Sequence, residues 1–170
     1  MKIQISLSTK VEGYTGANGL YAWTEPDQAS ISRIKSAIAP LIIAKNDLHC
    51  TLIYSKTQDA SGKEVVESSV DPKFRRSAGI TEIVFWEGHD KTGYLVAKLK
   101  SEALHTRHSM YRDLGFEPTF PDYEPHMTLV NPCKMDAELQ AFIDTKNKEL
   151  SAKPLQIVLE GEHISDLKDD

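Results

Sequence analysis

The succession of apolar patterns along the chain predicts an α+β fold with mostly antiparallel strands, and three observations support it. Strand-like alternation and helix-like spacing do not follow a strict βαβα order. Neighbouring strands have connections of hairpin length, as where GITEIVFWEG and GYLVAKLK are joined by His89, Asp90, Lys91 and Thr92. Two strands of similar sequence fall in different halves of the chain, each near a helix of its own, which suggests two similar lobes although the helix order differs between them.

Ile3, Ile5 and Leu7 alternate with polar residues and predict a first short strand, followed by the Gly-rich connection VEGYTGANG. GLYAW at 19–23 predicts a second strand, with Leu20 and Ala22 on one face and Tyr21 and Trp23 on the other. Thr24 followed by Asp27 has the spacing of a capping box, and Pro26 suits a first helical turn. The helix runs to about Ala39 on Ile31, Ile34 and Ile38 and stops before Pro40. LHCTLIYS at 48–55 is the next strand. The polar, Ser-rich segment at 56–73 reads as a long hairpin or a mobile loop. After the paired strands, Ser101 caps a helix over roughly 102–114 that Gly115 ends. FEPTFPDYEP is a Pro-punctuated loop leading into PHMTLVNP at 125–132. A helix at about 136–151 and a strand at about 155–160 follow.

With 170 residues, 40% hydrophobic and 26% charged, the chain suits one soluble domain over 1–170. A net charge of −5 provides no broad basic field for long nucleic acid, though a short anionic ligand remains compatible with local positive groups. Cys50 and Cys133 have neither metal spacing nor a disulfide framework and read as reduced thiols. The start MKIQISLSTK has no apolar core of a signal peptide, and no apolar run has membrane-spanning length. The expected setting is the cytoplasm, away from membranes.

The functional signal is the repetition of His-x-Thr-Leu. Residues i and i+2 of a strand share a face. His49 and Thr51 therefore project together, opposite Leu48, Cys50 and Leu52, and His126 and Thr128 project opposite Met127 and Leu129. One copy alone reads as a half-buried strand with a polar outer face. Two copies on strands in different halves fit in-line displacement at phosphorus, which needs a base beside the attacking oxygen and an acid beside the leaving oxygen. Imidazole serves either role near neutral pH. Each threonine hydroxyl can donate to a non-bridging oxygen where charge builds. That mechanism requires neither metal nor cofactor. His105 and His108 lie three apart on a predicted helix, but no further residues complete a ligand set, so they read as surface or packing residues. His89 and His163 have no repeated partner.

The two motifs, HCTL at 49–52 and HMTL at 126–129, resemble those of the 2H phosphoesterase superfamily. The resemblance implies a two-lobed, pseudo-symmetric α+β fold with helices outside a central cleft. It also implies His49, Thr51, His126 and Thr128 as catalytic residues. GLYAWTEP, LHCTLIYS, FWEG, GYLVAKLKS with LHTRH, and FPDYEPHMTL are similar, in that order, to phage anti-CBASS nucleases. That similarity implies a cyclic di- or trinucleotide as substrate. The first 18 residues and 56–73 match this pattern poorly.

Nucleobases need stacking surfaces, and Tyr21 and Trp86 are the candidates. Tyr21 faces away from Leu20 and Ala22, and Trp86 shares a face with Val84 and Glu82. Tyr14, Trp23 and Tyr123 are weaker alternatives. Glu160 is placed to accept hydrogen bonds from a base edge, with a solvated strand-end carboxylate as the competing reading. Arg75 and Arg76 read as a solvated basic pair. The expectation is a metal-independent phosphodiesterase acting on cyclic oligonucleotides. Its rivals are an RNA-processing enzyme for 2′,3′-cyclic or 2′–5′ linkages and a protein that sequesters nucleotides without cleaving them.

Overall fold

A computed structural model describes residues 13–39, 41, 48–88 and 92–168. The predicted strand at Ile3, Ile5 and Leu7, the stop at Pro40, and His89, Asp90 and Lys91 lie outside them. The elements are β1 (Leu20–Pro26), α1 (Gln28–Ile38), β2 (Cys50–Ser55), α2 (Lys63–Ser69), β3 (Arg75–Glu87), β4 (Thr92–Lys100), α3 (Glu102–Asp113), β5 (His126–Lys134), α4 (Ala137–Ala152) and β6 (Leu155–Ser165). This is the expected mixed α+β architecture with antiparallel strand pairing.

The strands close into a ring in the order β1-β2-β5-β4-β3-β6, with every neighbouring pair antiparallel. One face of the ring is apolar: Leu20, Ala22, Cys50, Leu52, Ala97, Met127, Leu129 and Ile157 are buried on it. Ile34 and Ile38 of α1, Leu104 and Tyr111 of α3, and Ile143 and Leu150 of α4 join the same core. The helices therefore cover the outside of the ring, and the alternate residues of each strand point inward. Burial of each large aliphatic side chain contributes about 1.5–3 kcal/mol, which fixes which face of a strand turns inward.

Several local expectations need correction. The cap of α1 is Asp27, whose carboxylate accepts the Ser30 backbone N–H at 2.8 Å. Thr24 is instead buried in β1, because strand pairing continues to Pro26 and delays the turn into the helix. Ser101 occupies the N-cap position of α3, but its hydroxyl accepts no capping hydrogen bond from the first turn. The segment at 56–73 is not a hairpin: it contains α2, with Val66 and Val70 buried. Its end is held by Arg107, which donates to the Ser69 carbonyl at 2.6 Å, and by Glu162, which accepts the Asp71 N–H at 3.1 Å. Arg75 is not merely solvated; it bonds Glu160 at 2.6 Å and Asp27 at 3.0 Å, tying β3 to β6 and to the start of α1. The last strand runs five residues beyond its expected end, to Ser165.

Candidate functional site

Most neighbouring strands share five or more registered pairs, whereas β2 and β5 meet at only one, Cys50 with Met127. Both side chains of that pair are fully buried under the helices. One step either way in antiparallel register sets Thr51 opposite His126, and His49 opposite Thr128. The four side chains of the two motifs, each half-buried, therefore meet on the inner face at the narrow seam of the ring. β2 and β5 thus adjoin at the most thinly paired step of the ring, each carrying one His-x-Thr motif.

The two histidines are held differently. His126 Nδ1 lies 2.8 Å from the Glu124 backbone carbonyl. A carbonyl only accepts, so Nδ1 carries the proton and Nε2 of the neutral ring is left basic. The Trp86 ring lies at 66° to the His126 imidazole, with centroids 4.5 Å apart. His49 stands edge-on to Tyr21 at 6.3 Å. The Thr51 hydroxyl lies 3.4 Å from the Tyr21 hydroxyl. Beneath it, Tyr123 donates to the Thr51 carbonyl at 2.8 Å and stacks on His108 at 4.2 Å. His108 in turn donates Nδ1–H to the Leu52 carbonyl at 2.7 Å. Two successive carbonyls of β2 are thus pinned by side chains from outside the sheet. Cys50, between His49 and Thr51, is no nucleophile: burial pushes its thiol up to about 12.

A groove of about 1040 Å³ opens from the seam. Thr51, His126 and Trp86 line it, together with Tyr54, Tyr94, Tyr123 and Phe120, the last of which is 70% exposed. That volume is at the upper end of small-ligand sites, which span ~300–1,000 Å³. The loop from Pro118 to Glu124 forms one wall and is fastened by the Thr119 N–H on the Tyr54 carbonyl at 2.9 Å. Tyr21 lies on the other side of Thr51 and stacks on Trp23 at 4.8 Å, which itself stacks on His163 at 5.3 Å. Aromatic surfaces therefore flank the motifs on both sides. Glu160 is absent from the groove lining, and its carboxylate is paired with Arg75. Of the weaker alternatives, Trp23 and Tyr123 are at the site, while Tyr14 is buried and donates to Asp59 at 2.5 Å.

Sequence reasoning did not single out Lys98 or Glu25, and it set His163 aside. Lys98 is registered directly against His126. Its position on the inner face was readable from the alternation Ala97, Lys98, Leu99. Glu25 accepts from Trp23 Nε1 at 3.2 Å, and its carboxylate is 3.4 Å from His163 Nε2. His163 was hidden because the register of β6 against β1 shifts between Glu160 and His163, at Gly161 with its positive φ of 76°. Simple alternation from Leu155 fails there.

Fold and site together define a class: a small α+β protein in which two adjacent strands each present an imidazole and a hydroxyl between aromatic walls. The chain belongs to the anti-CBASS protein Acb1 family, whose model matches residues 18–170. It is 29% identical over 146 residues to the anti-CBASS protein Acb1 of Enterobacteria phage T4, covering 78% of this chain and 88% of that relative. The protein of the same name from Salmonella phage S16 is 27% identical over 150 residues, covering 83% and 91%. That of Vibrio phage KVP40 is 27% identical over 129 residues, covering 71% and 77%. No helix among the described residues is long and apolar enough to cross a membrane.

Proposed function

We propose that this protein is a 2H-type phosphodiesterase that opens a 3′–5′ linkage of cyclic di- and trinucleotides and so counteracts CBASS signalling. The observation behind this reading is the single Cys50–Met127 pair, which sets Thr51 beside His126 and His49 beside Thr128 on one face. Membership of the anti-CBASS family favours a cyclic oligonucleotide over other phosphodiesters. The two-lobed 2H fold belongs to the same proposal, with β2 and β5 as its facing strands.

In the proposed reaction one imidazole removes the proton of the ribose 2′-OH next to the scissile phosphate. The freed oxygen attacks phosphorus as the O2′–P bond forms and the P–O5′ bond breaks. The other imidazole protonates the departing O5′. Thr51 and Thr128 donate to the non-bridging oxygens as charge grows on them. The product is a linear nucleotide ending in a 2′,3′-cyclic phosphate, which water opens in a second step with the histidine roles exchanged. The adjacent 2′-OH is favoured over water as first nucleophile by its proximity.

The test is a substrate panel in EDTA: cyclic dinucleotides, cyclic trinucleotides, 2′,3′-cyclic mononucleotides and 2′–5′ oligoadenylate, with wild type, His49→Ala and His126→Ala. Cleavage of the cyclic oligonucleotides that both substitutions abolish is the expected result. Activity surviving both substitutions, or lost in EDTA, overturns the mechanism. Turnover confined to the last two substrates selects an RNA-processing enzyme, and tight binding without turnover selects sequestration. Cleavage of a substrate lacking the 2′-OH at the wild-type rate rules out the internal route.

A further inference from the structure

We propose that Lys98 is a third electrostatic element of this site, its ammonium contacting a non-bridging oxygen of the phosphate under attack; this rests on the phosphodiesterase reading above. The Thr51 and Thr128 hydroxyls are neutral donors, whereas the displacement concentrates negative charge on the phosphoryl oxygens. A fixed cation at that point stabilises the transition state more than the ground state.

Position singles out Lys98. Among the residues registered against the His-x-Thr side chains, Trp23 faces Thr51, Val96 faces Thr128 and Lys98 faces His126; only the last is charged. Directly opposed residues of an antiparallel pair have Cβ atoms about 4.5–5.5 Å apart on the same face. Ala97 and Leu99 on either side are buried in the core, so Lys98 lies on the inner face with His126. Thr51, His126 and Lys98 are thereby consecutive across three strands. In the free protein the ammonium lies 3.7 Å from a carboxylate oxygen of Glu124, the residue whose main-chain carbonyl holds His126 Nδ1. Glu124 is largely exposed, and so loose a pair contributes little. An incoming phosphate can displace it without leaving a buried charge unpaired. Glu82 is registered against Lys98 from β3, so the ammonium stands between two carboxylate-bearing residues, Glu82 and Glu124.

The experiment compares Lys98→Met, Lys98→Gln and Lys98→Arg with wild type and His126→Ala, on a cyclic dinucleotide in EDTA, with kcat and KM measured separately. Loss of one preorganised oxyanion donor lowers kcat about 10²–10³-fold, and the Met and Gln variants are expected to fall in that range. KM should move less than about 5-fold, since the contact strengthens in the transition state. Lys98→Arg should retain kcat within about 10-fold of wild type, because a guanidinium also binds phosphate. Two neutral variants guard against one of them folding poorly, which thermal melts report. Met and Gln variants with kcat within about 3-fold of wild type overturn the assignment, and so does an Arg variant as impaired as they are. If instead wild type is inactive, or His126→Ala matches it, the phosphodiesterase reading itself has failed; normal Lys98→Met beside dead His126→Ala removes only Lys98.

Discussion

Replacing Arg107 by Met tests whether the ring is held at the far side of β1 by one buried ion pair. Glu162 of β6 is fully buried and accepts four hydrogen bonds: two from Arg107 at 2.6 and 2.5 Å, one from Tyr111 at 2.7 Å and one from the Asp71 N–H at 3.1 Å. Methionine keeps the aliphatic stem but removes both guanidinium bonds to Glu162, along with the one to the Ser69 carbonyl. At about 1.5–3 kcal/mol for each charged bond, the loss is about 3–6 kcal/mol. Truncating one partner of a buried pair costs about 3–5 kcal/mol by independent reckoning. The two ranges overlap at 3–5. For a chain of this size about 2–4 °C of Tm goes with each kcal/mol, so melting should fall by roughly 6–20 °C. Urea unfolding of Arg107→Met, Glu162→Gln and the double variant measures the cost and the coupling. The double variant should be more stable than the sum of the singles predicts, because it leaves no unpaired buried charge. A cost below about 1 kcal/mol, or singles that add within about 0.5 kcal/mol, would refute the account.

Thr51→Val and Thr128→Val should each lower kcat about 10²–10³-fold with little change in KM, and equal losses in kcat and binding would show that the hydroxyls only hold the ground state. Trp86→Ala should weaken substrate binding roughly 5- to 150-fold, the equivalent of ~1–3 kcal/mol for one stacked base, read by titration with a substrate lacking the reactive 2′-OH. Burial holds His108 below its ordinary value, against the opposing pull of the Leu52 carbonyl. Its neutral native form binds fewer protons than the unfolded residue, so stability is lost as pH falls through about 6.5 toward the native value. Tm should therefore drop between about pH 8 and pH 5, and the slope should flatten in His108→Asn; an unchanged slope sinks this origin.

The fold was legible where periodicity alone decides the outcome. Leu20 and Ala22 against Tyr21 and Trp23, or Cys50 against His49 and Thr51, follow from the two-residue repeat. The core confirms them because burying the other face would expose the aliphatic side chains. The helix at 63–69 was not legible, since its seven residues offer only Val65 and Val66 as apolar and owe their order to partners far away in sequence, Arg107 and Glu162. Register was hidden for the same reason. Nothing local in LHCTLIYS says that Cys50 will sit against Met127, so the pairing of Thr51 with His126 required the structure. Glu160 shows the limit of facing rules: it emerges on the expected side, but Arg75 claims its carboxylate.

The thin pairing at the seam suits the proposed chemistry. A full ladder between β2 and β5 would bind their main-chain groups to each other along the whole strand and bring the inner side chains into close, filled rows. With one registered pair, the strands keep their register without a continuous ladder, and the groove lined by Thr51, His126 and Tyr123 lies beside that pair. The main-chain groups that lose strand partners are taken up elsewhere, the Thr51 carbonyl by Tyr123 and the Leu52 carbonyl by His108. Those two rings stack on each other at 1°, so the support for β2 is itself packed rather than left to solvent. Cys50 and Met127 therefore matter although neither can take part in chemistry. They are the one registered pair between β2 and β5, the two strands that carry the motifs. A bulky or charged substitution there would displace all four motif side chains together rather than remove one.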